Sequence, residues 1–202
     1  MQMTFFRSPI LFICICVLPF NIYATQINLA DHYETGKTPY QQGLERIKTG
    51  DIETALDYWF HLSRNNQDTH NTDPRIGVAY LEVVTEHQMF DYYQKANDVY
   101  FWAFQTNQLT KYEDVLKEEV ERLRPLLEHE EYRDLRKAIN NNDHQTCHNK
   151  LKRFWILADP TPDSEYNERL LEHWERIFYV KHTFTRAKNT VYNADDRAIT
   201  YI

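Results

Sequence analysis

Apolar residues recur at helical spacing on both sides of a glycine turn near the start of the chain. The two stripes consist of Tyr40, Leu44 and Ile47 in residues 39–49, and of Ala55, Leu56, Trp59 and Leu62 in residues 52–64. Gly50 and Asp51 separate these segments and favour a turn. The pattern therefore predicts two helices that fold back on each other as a hairpin.

A second hairpin is predicted after the polar loop at residues 65–73. Pro74 is typical of a helix start, and apolar residues follow it at helical spacing in two segments. These residues are Ile76, Tyr80, Val83 and Val84 in the first segment, and Tyr92, Ala96, Tyr100 and Ala103 in the second.

Four more helices are predicted towards the C-terminus. They span residues 109–124, residues 127–139, a segment that Asp143 caps and that ends before Asp159, and residues 165–183. Pro125 ends or kinks the first of them, and Asn140–Asn142 suits the end of the second. Thr161 or Ser164 is expected to cap the last, because their hydroxyl groups can accept hydrogen bonds from free helix amides.

Small and large residues alternate in the first hairpin in a way that suggests a repeat. Gly43 and Gly50, followed by Ala55, Trp59 and Leu62, resemble one tetratricopeptide repeat, in which small residues let two helices approach. The second hairpin is a degenerate copy that lacks both glycines, and its offset exceeds the period of about 34 residues. Any antiparallel helical pair is an alternative source of this pattern.

The N-terminus has the pattern of a secretory signal peptide. Arg7 precedes an apolar run at residues 10–20, and Ile22-Tyr23-Ala24 offers a small residue for cleavage. The run is shorter than the about 20 residues that cross a bilayer, which disfavours the alternative of an uncleaved anchor. We predict removal of residues 1–24, a mature chain that starts at Thr25, and export to the periplasm or envelope of a bacterium.

Charge and composition exclude several classes of protein. The 202 residues include 30 acidic and 23 basic side chains, so no nucleic-acid partner is expected. Cleavage of the signal would remove Cys14 and Cys16 and leave Cys147 without an internal disulfide partner. The charged residues of segment 109–124 are expected to form a solvated face, namely Lys117, Glu118, Glu121, Arg122 and Arg124.

No segment of the sequence has a complete catalytic or metal-binding motif. His129-Glu130 begins like a zinc-protease helix, but Arg133 stands where the second histidine is required. His144, Cys147 and His148 have metal-ligand character, yet no further ligands complete the set. Surface histidines and a buried cysteine are the simpler interpretation. We assign no catalytic residue, no cofactor and no metal ligand.

A set of features in residues 151–184 points to a known family. The set comprises a helix that ends with Phe154-Trp155, the turn Asp159-Pro160-Thr161-Pro162, and then Asn167-Glu168, Arg176, Tyr179 and Phe184. Together they resemble the segment that introduces the domain of GWxTD-containing proteins, a bacterial and mostly exported family. The resemblance extends from about Glu128 to the chain end, and it implies helical repeats upstream and a small β-containing region downstream.

The sequence departs from that family at its defining motif. Tyr192–Arg197 stands where Gly-Trp-x-Thr-Asp is expected, so no role tied to the motif is transferred, and the family implies no particular reaction. Asn167, Glu168 and Arg176 form a candidate polar cluster. Helix capping and ion pairing are the simpler interpretation of these three residues.

The chain end has the alternation of a strand. Residues 198–202 follow a turn at Asp195–Arg197 and predict the first half of a strand, whose backbone would need a partner. We therefore expect the sequence to be a fragment that continues into the β-containing region, with pairing to another chain as the alternative.

The predicted fold class is mainly α, with tetratricopeptide-like hairpins, further helices and the start of a small β-containing region. The predicted organisation is a signal peptide at 1–24, an extended segment at 25–37, the hairpins at 38–105, and a helical linker with a truncated GWxTD-type domain at 106–202.

Two classes of function fit these predictions. The favoured one is a non-enzymatic scaffold of the bacterial envelope whose stacked helical pairs bind a protein or peptide partner. The alternative is the docking part of a periplasmic hydrolase whose catalytic region lies beyond Ile202. No membrane span is expected after cleavage of the signal.

Overall fold

A computed structural model describes residues 36–65, 72–184 and 200–202, and these residues are mainly helical. Eight α-helices are present in them, and none of these residues forms a strand. The helices are α1 (Pro39–Lys48), α2 (Ile52–Asn65), α3 (Pro74–Glu86), α4 (Tyr93–Ala103), α5 (Glu113–Leu123), α6 (His129–Asn140), α7 (His144–Ala158) and α8 (Glu168–Thr183). The predicted signal peptide, most of the extended segment and the turn at Asp195–Arg197 lie outside the described residues.

The first hairpin is held together by contact between a glycine and a tryptophan. Thr38 caps α1 by accepting a hydrogen bond from the backbone of Gln41, and Gly50 makes the turn into α2 with a φ of 86°. The indole ring of Trp59 lies directly over Gly43 and donates a 3.0 Å hydrogen bond from Nε1 to the carbonyl oxygen of Pro39. The predicted helix pair and its inward-facing Trp59 are confirmed.

The second hairpin also has a close helix contact at a glycine. Gly77 on α3 faces α4 so closely that a Cβ atom there would lie 3.0 Å from Ala103 Cβ and 3.2 Å from Tyr100 Cα. The expectation that this hairpin lacks an equivalent of Gly43 is therefore wrong. Helix α3 also packs against α2, α5 and α8, which explains why most of its residues are buried.

Local signals place the helix ends in the C-terminal half, with one exception. Helix α5 ends just before Pro125, Asn142 has the left-handed φ of 54°, and Asp143 caps α7 by accepting from the amide of Thr146. The expected cap of α8 at Thr161 or Ser164 is wrong. That helix begins at Glu168, because Asn167 Oδ1 accepts the 2.8 Å hydrogen bond from the amide of Leu170.

The described chain end contains a helical turn where the sequence predicts a strand. Thr200 and Tyr201 have helical backbone, and residues 198–199 lie outside the described residues. Tyr201 stacks on Tyr179 of α8 with 4.7 Å between the ring centroids, and Ile202 is buried. This packing against α8 gives the last residues tertiary contacts without a partner strand.

We expect Gly43→Ala to destabilise the protein by about 2–3 kcal/mol, although alanine favours helices by about 1 kcal/mol over glycine. The new Cβ would overlap with Cε2 of Trp59, and the buried ring has little room to move. Urea unfolding measures the change. In a Trp59→Leu background the same substitution should be neutral or stabilising; an equal loss in both backgrounds would show that the indole is not the obstacle.

Candidate functional site

The residues that the sequence suggested as metal or nucleophile candidates differ in their exposure to solvent. Cys147 is buried, which raises the pKa of its thiol to about 12 and keeps it protonated at neutral pH. Its neighbour His144 is exposed, and burial lowers the pKa of His148. No group of three or more metal-ligating side chains is found in the described part of the chain. The His129-Glu130 pair lies exposed at the start of α6.

The polar cluster of Asn167, Glu168 and Arg176 has structural partners. Asn167 is the cap of α8, and its Nδ2 donates a 2.6 Å hydrogen bond to the carbonyl oxygen of Trp155. Arg176 pairs with Glu172 one helical turn away at 2.6 Å. Capping and ion pairing therefore account for Asn167 and Arg176, as the simpler interpretation predicts.

A buried polar network lies at the centre of the bundle. The hydroxyl group of Tyr100 donates a 2.6 Å hydrogen bond to Glu119 Oε1, and Glu119 Oε2 accepts a 2.9 Å hydrogen bond from Arg122 Nη1. Tyr100 is fully buried and Glu119 is 1% exposed. Burial and the adjacent carboxylate raise the pKa of Tyr100 well above its usual range, so the phenol stays protonated and serves as the donor.

The network continues into α7 and α8 through two side chains. The indole nitrogen of Trp155 donates a 3.1 Å hydrogen bond to the Tyr100 hydroxyl group, and the guanidinium of Arg122 lies 5.4 Å from the ring centroid of Trp174. The expected solvated face of segment 109–124 is therefore wrong for Arg122, which is 6% exposed. Its charge is balanced by Glu119 and Glu118 rather than by water.

His173 is the buried histidine of this core. Its ring lies 5.7 Å from that of Trp155, and neither ring nitrogen makes a hydrogen bond of normal geometry in the described structure. Burial and the nearby cations of Arg169, Arg122 and Arg176 lower the pKa to about 3, against a weak opposing effect of the Arg122 backbone. The imidazole is therefore neutral at pH 7.

The sequence contained a signal for these buried polar residues. Glu119 falls on the same helical stripe as Leu116, Val120 and Leu123, and His173 falls on the stripe of Leu170, Trp174 and Ile177. Glu119 finds its partner Tyr100 on another helix, whereas His173 is buried as a neutral imidazole against the ring of Trp155.

A groove on the opposite surface of α7 is the candidate binding site. It encloses about 250 Å³ between α6 and α7. Its lining residues are Leu127, Glu131, Leu135, Lys150, Arg153, Phe154 and Leu157. Leu157 is 69% exposed and its neighbour Ile156 is 54% exposed, so apolar surface extends from the groove on to the helix.

Two of the charged residues in the groove have partners, and the third has none among the described residues. Lys150 pairs with Asp134 at 2.9 Å, and Glu131 accepts a hydrogen bond from the amide of Glu128. Arg153 makes no hydrogen bond or ion pair with the described residues. Helix α7 contains three cations and no carboxylate, whereas the whole chain carries a net charge of −7. We call Arg153, Phe154, Ile156 and Leu157 the α7 face.

Comparison with known proteins gives no relative for this chain. No protein-family model, curated protein or solved structure matches it. In the described ranges, every helix is too short or too polar to cross a membrane.

We expect the free energy of unfolding to fall as the pH is lowered from about 6.5 to 4.5. Folded His173 resists protonation, whereas the unfolded histidine takes up a proton below about 6.5, so stability is lost as the pH falls. The limiting slope is about 1.4 kcal/mol per pH unit. Urea unfolding at several pH values measures it. His173→Leu should reduce the slope, and an equal slope in this variant and in the wild-type protein would contradict the assignment.

Proposed function

We propose that this chain is an exported helical module that binds another protein through the α7 face. The occupant that fits best is an acidic amphipathic helix of the partner. Its apolar side chains would enter the groove between α6 and α7, and a carboxylate would pair with Arg153. The exposed α7 face beside a groove of mixed apolar and charged lining is the observation that carries this proposal.

The physical chemistry of the α7 face favours an acidic helical partner. Leu157 and Ile156 are largely exposed to solvent in the unbound chain, so a partner that covers them would remove apolar surface from water. Arg153 supplies an uncompensated positive charge at the groove, and a carboxylate is its natural partner. Apolar anchors flanked by charge are the common arrangement by which a groove recognises an amphipathic helix.

Two features support a scaffold of the tetratricopeptide-like kind. Gly43 leaves room for the indole ring of Trp59 from α2, and Gly77 lets Ala103 and Tyr100 of α4 approach closely. The separation of these two glycines equals the repeat period of about 34 residues. Stacked helical pairs of this kind commonly serve as binding scaffolds. The GWxTD-type resemblance of residues 151–184 and the signal-like N-terminus support export to a bacterial envelope.

Export is tested with the full chain expressed in a bacterium with its own N-terminus. We expect the protein in the periplasmic or envelope fraction, with an intact mass that corresponds to a chain starting at Thr25. Val17→Arg places a charge in the apolar run and should leave the full-length protein in the cytosol, whereas Val17→Leu should be exported normally. Cytosolic, unprocessed wild-type protein would refute export.

Binding is tested with a designed amphipathic helical peptide that has leucine and phenylalanine on one face and glutamate beside them. We expect Arg153→Glu to weaken binding by about tenfold, which corresponds to about 1.4 kcal/mol. Lys152→Glu is the matched control, because this exposed neighbour does not line the groove. Its effect should be much smaller. Fluorescence anisotropy of the labelled peptide measures both.

The apolar part of the contact has its own variant. Leu157→Ser should lower the affinity for the acidic peptide without changing the thermal stability of the protein, because the side chain is exposed in the unbound protein. A peptide with lysine in place of every glutamate should bind more weakly than the acidic one. Equal effects of the changes at Arg153 and Lys152, or no preference for the acidic peptide, would refute the α7 face as the docking surface.

A further inference from the structure

The groove residues of α7 form one continuous stripe along that helix. Lys150, Arg153, Phe154 and Leu157 all line the groove, and their intervals of three and four residues place them on one helix face. The two cations come first along the helix, and the two apolar residues follow. A partner helix that lies along this stripe therefore meets positive charge in one turn and apolar surface in the adjoining turn.

The first cation of the stripe, Lys150, has an exposed partner on the neighbouring helix. Its Nζ lies 2.9 Å from Oδ2 of Asp134 on α6, and the two side chains are 39% and 40% exposed. An ion pair this open to water contributes little to stability, so Lys150 can exchange it for another carboxylate. The other oxygen of Asp134, Oδ1, lies 3.8 Å from Nε of Arg133. Asp134 therefore keeps a neighbouring cation when Lys150 leaves it.

The second cation of the stripe, Arg153, is not neutralised by the carboxylate of the groove. Oε2 of Glu131 accepts a 3.2 Å hydrogen bond from the backbone amide of Glu128, as part of the capping box that begins α6. This bond occupies Glu131 at the helix start. Arg153 is exposed and has no ion pair with the described residues. The stripe thus offers one unpaired cation and one exchangeable cation.

We propose that the groove between α6 and α7 recognises two carboxylates one helical turn apart on the partner, the first bound by Arg153 and the second by Lys150, which releases Asp134. This inference rests on the proposed function, because it specifies which acidic helix the groove accepts. Side chains three or four residues apart on a helix have Cβ atoms about 5–6 Å apart, so the two cations of α7 match two carboxylates at that spacing. The second carboxylate is already held beside Lys150 by the rest of the complex, so its binding loses little further freedom of motion.

Two forms of the acidic peptide test this proposal. They have the same composition, the same leucine and phenylalanine face and the same side-chain staple, which keeps both helical. The paired peptide has two glutamates four residues apart, and the split peptide has the second glutamate moved by two residues to the opposite side of the helix. We expect the wild-type protein to bind the paired peptide about threefold more tightly, the effect of one exposed ion pair. Fluorescence anisotropy of the labelled peptides measures both affinities.

Variants on both sides of the exposed ion pair identify the residues responsible. Asp134→Asn should increase the preference for the paired peptide to about tenfold, because Lys150 then has no ion pair to break. Glu53→Gln is the matched control, since it removes the same charge from an exposed position on α2, a helix that packs on α1, α3 and α4. It should leave the preference at about threefold. Lys150→Gln should abolish the preference, both alone and together with Asp134→Asn.

The outcomes distinguish this proposal from the docking surface on which it rests. Equal affinities of the wild-type protein for the two peptides, or a preference that survives Lys150→Gln, would overturn recognition of the second carboxylate. A preference that Asp134→Asn does not increase would overturn it as well, because Lys150 would then not exchange partners. Docking through the α7 face would still stand in each case if Arg153→Glu weakens both peptides. Absence of binding of both peptides to the wild-type protein would refute the docking surface and this proposal together.

Discussion

The positions of four helices depend on the hydroxyl group of Tyr100. This group on α4 donates to Glu119 on α5 and accepts from the indole nitrogen of Trp155 on α7. The carbonyl oxygen of Trp155 accepts in turn from the side chain of Asn167, which caps α8. Each of these groups is buried, and an unpaired one would cost about 1–3 kcal/mol. The network therefore restricts how α5, α7 and α8 can pack on the second hairpin.

The ion pair of Glu119 and Arg122 fixes the orientation of these two side chains more than it stabilises the fold. Removing two charges from water offsets most of their mutual attraction, but a lone charge left in the core is strongly destabilising. The pair is therefore retained as a unit. Because the guanidinium also lies over the ring of Trp174, it connects the centre of the bundle to α8. The buried titratable groups thus serve packing.

Local chemistry explains why some elements were predictable and others were not. The start of α7 follows from Asp143 alone, since the cap bonds to an amide three residues away. The start of α8 does not, because several polar residues there can cap a helix. Asn167 is the cap because its side chain also donates to the carbonyl oxygen of Trp155 and its backbone amide donates to Oδ1 of Asn97. Asn97 lies far away in sequence. Likewise, a stripe shows that Glu119 faces inward, but its partner Tyr100 comes from another helix.

The α7 face follows from a constraint that the sequence already contains. Phe154, Trp155, Ile156 and Leu157 are consecutive apolar residues, and successive side chains on a helix point about 100° apart. Four of them surround the helix, whereas the core lies on one side. Trp155 lies on the buried stripe of Cys147 and Leu151 and its indole bonds to Tyr100, which leaves Ile156 and Leu157 in solvent. Exposure of the α7 face is thus a consequence of the same helix orientation that buries Trp155.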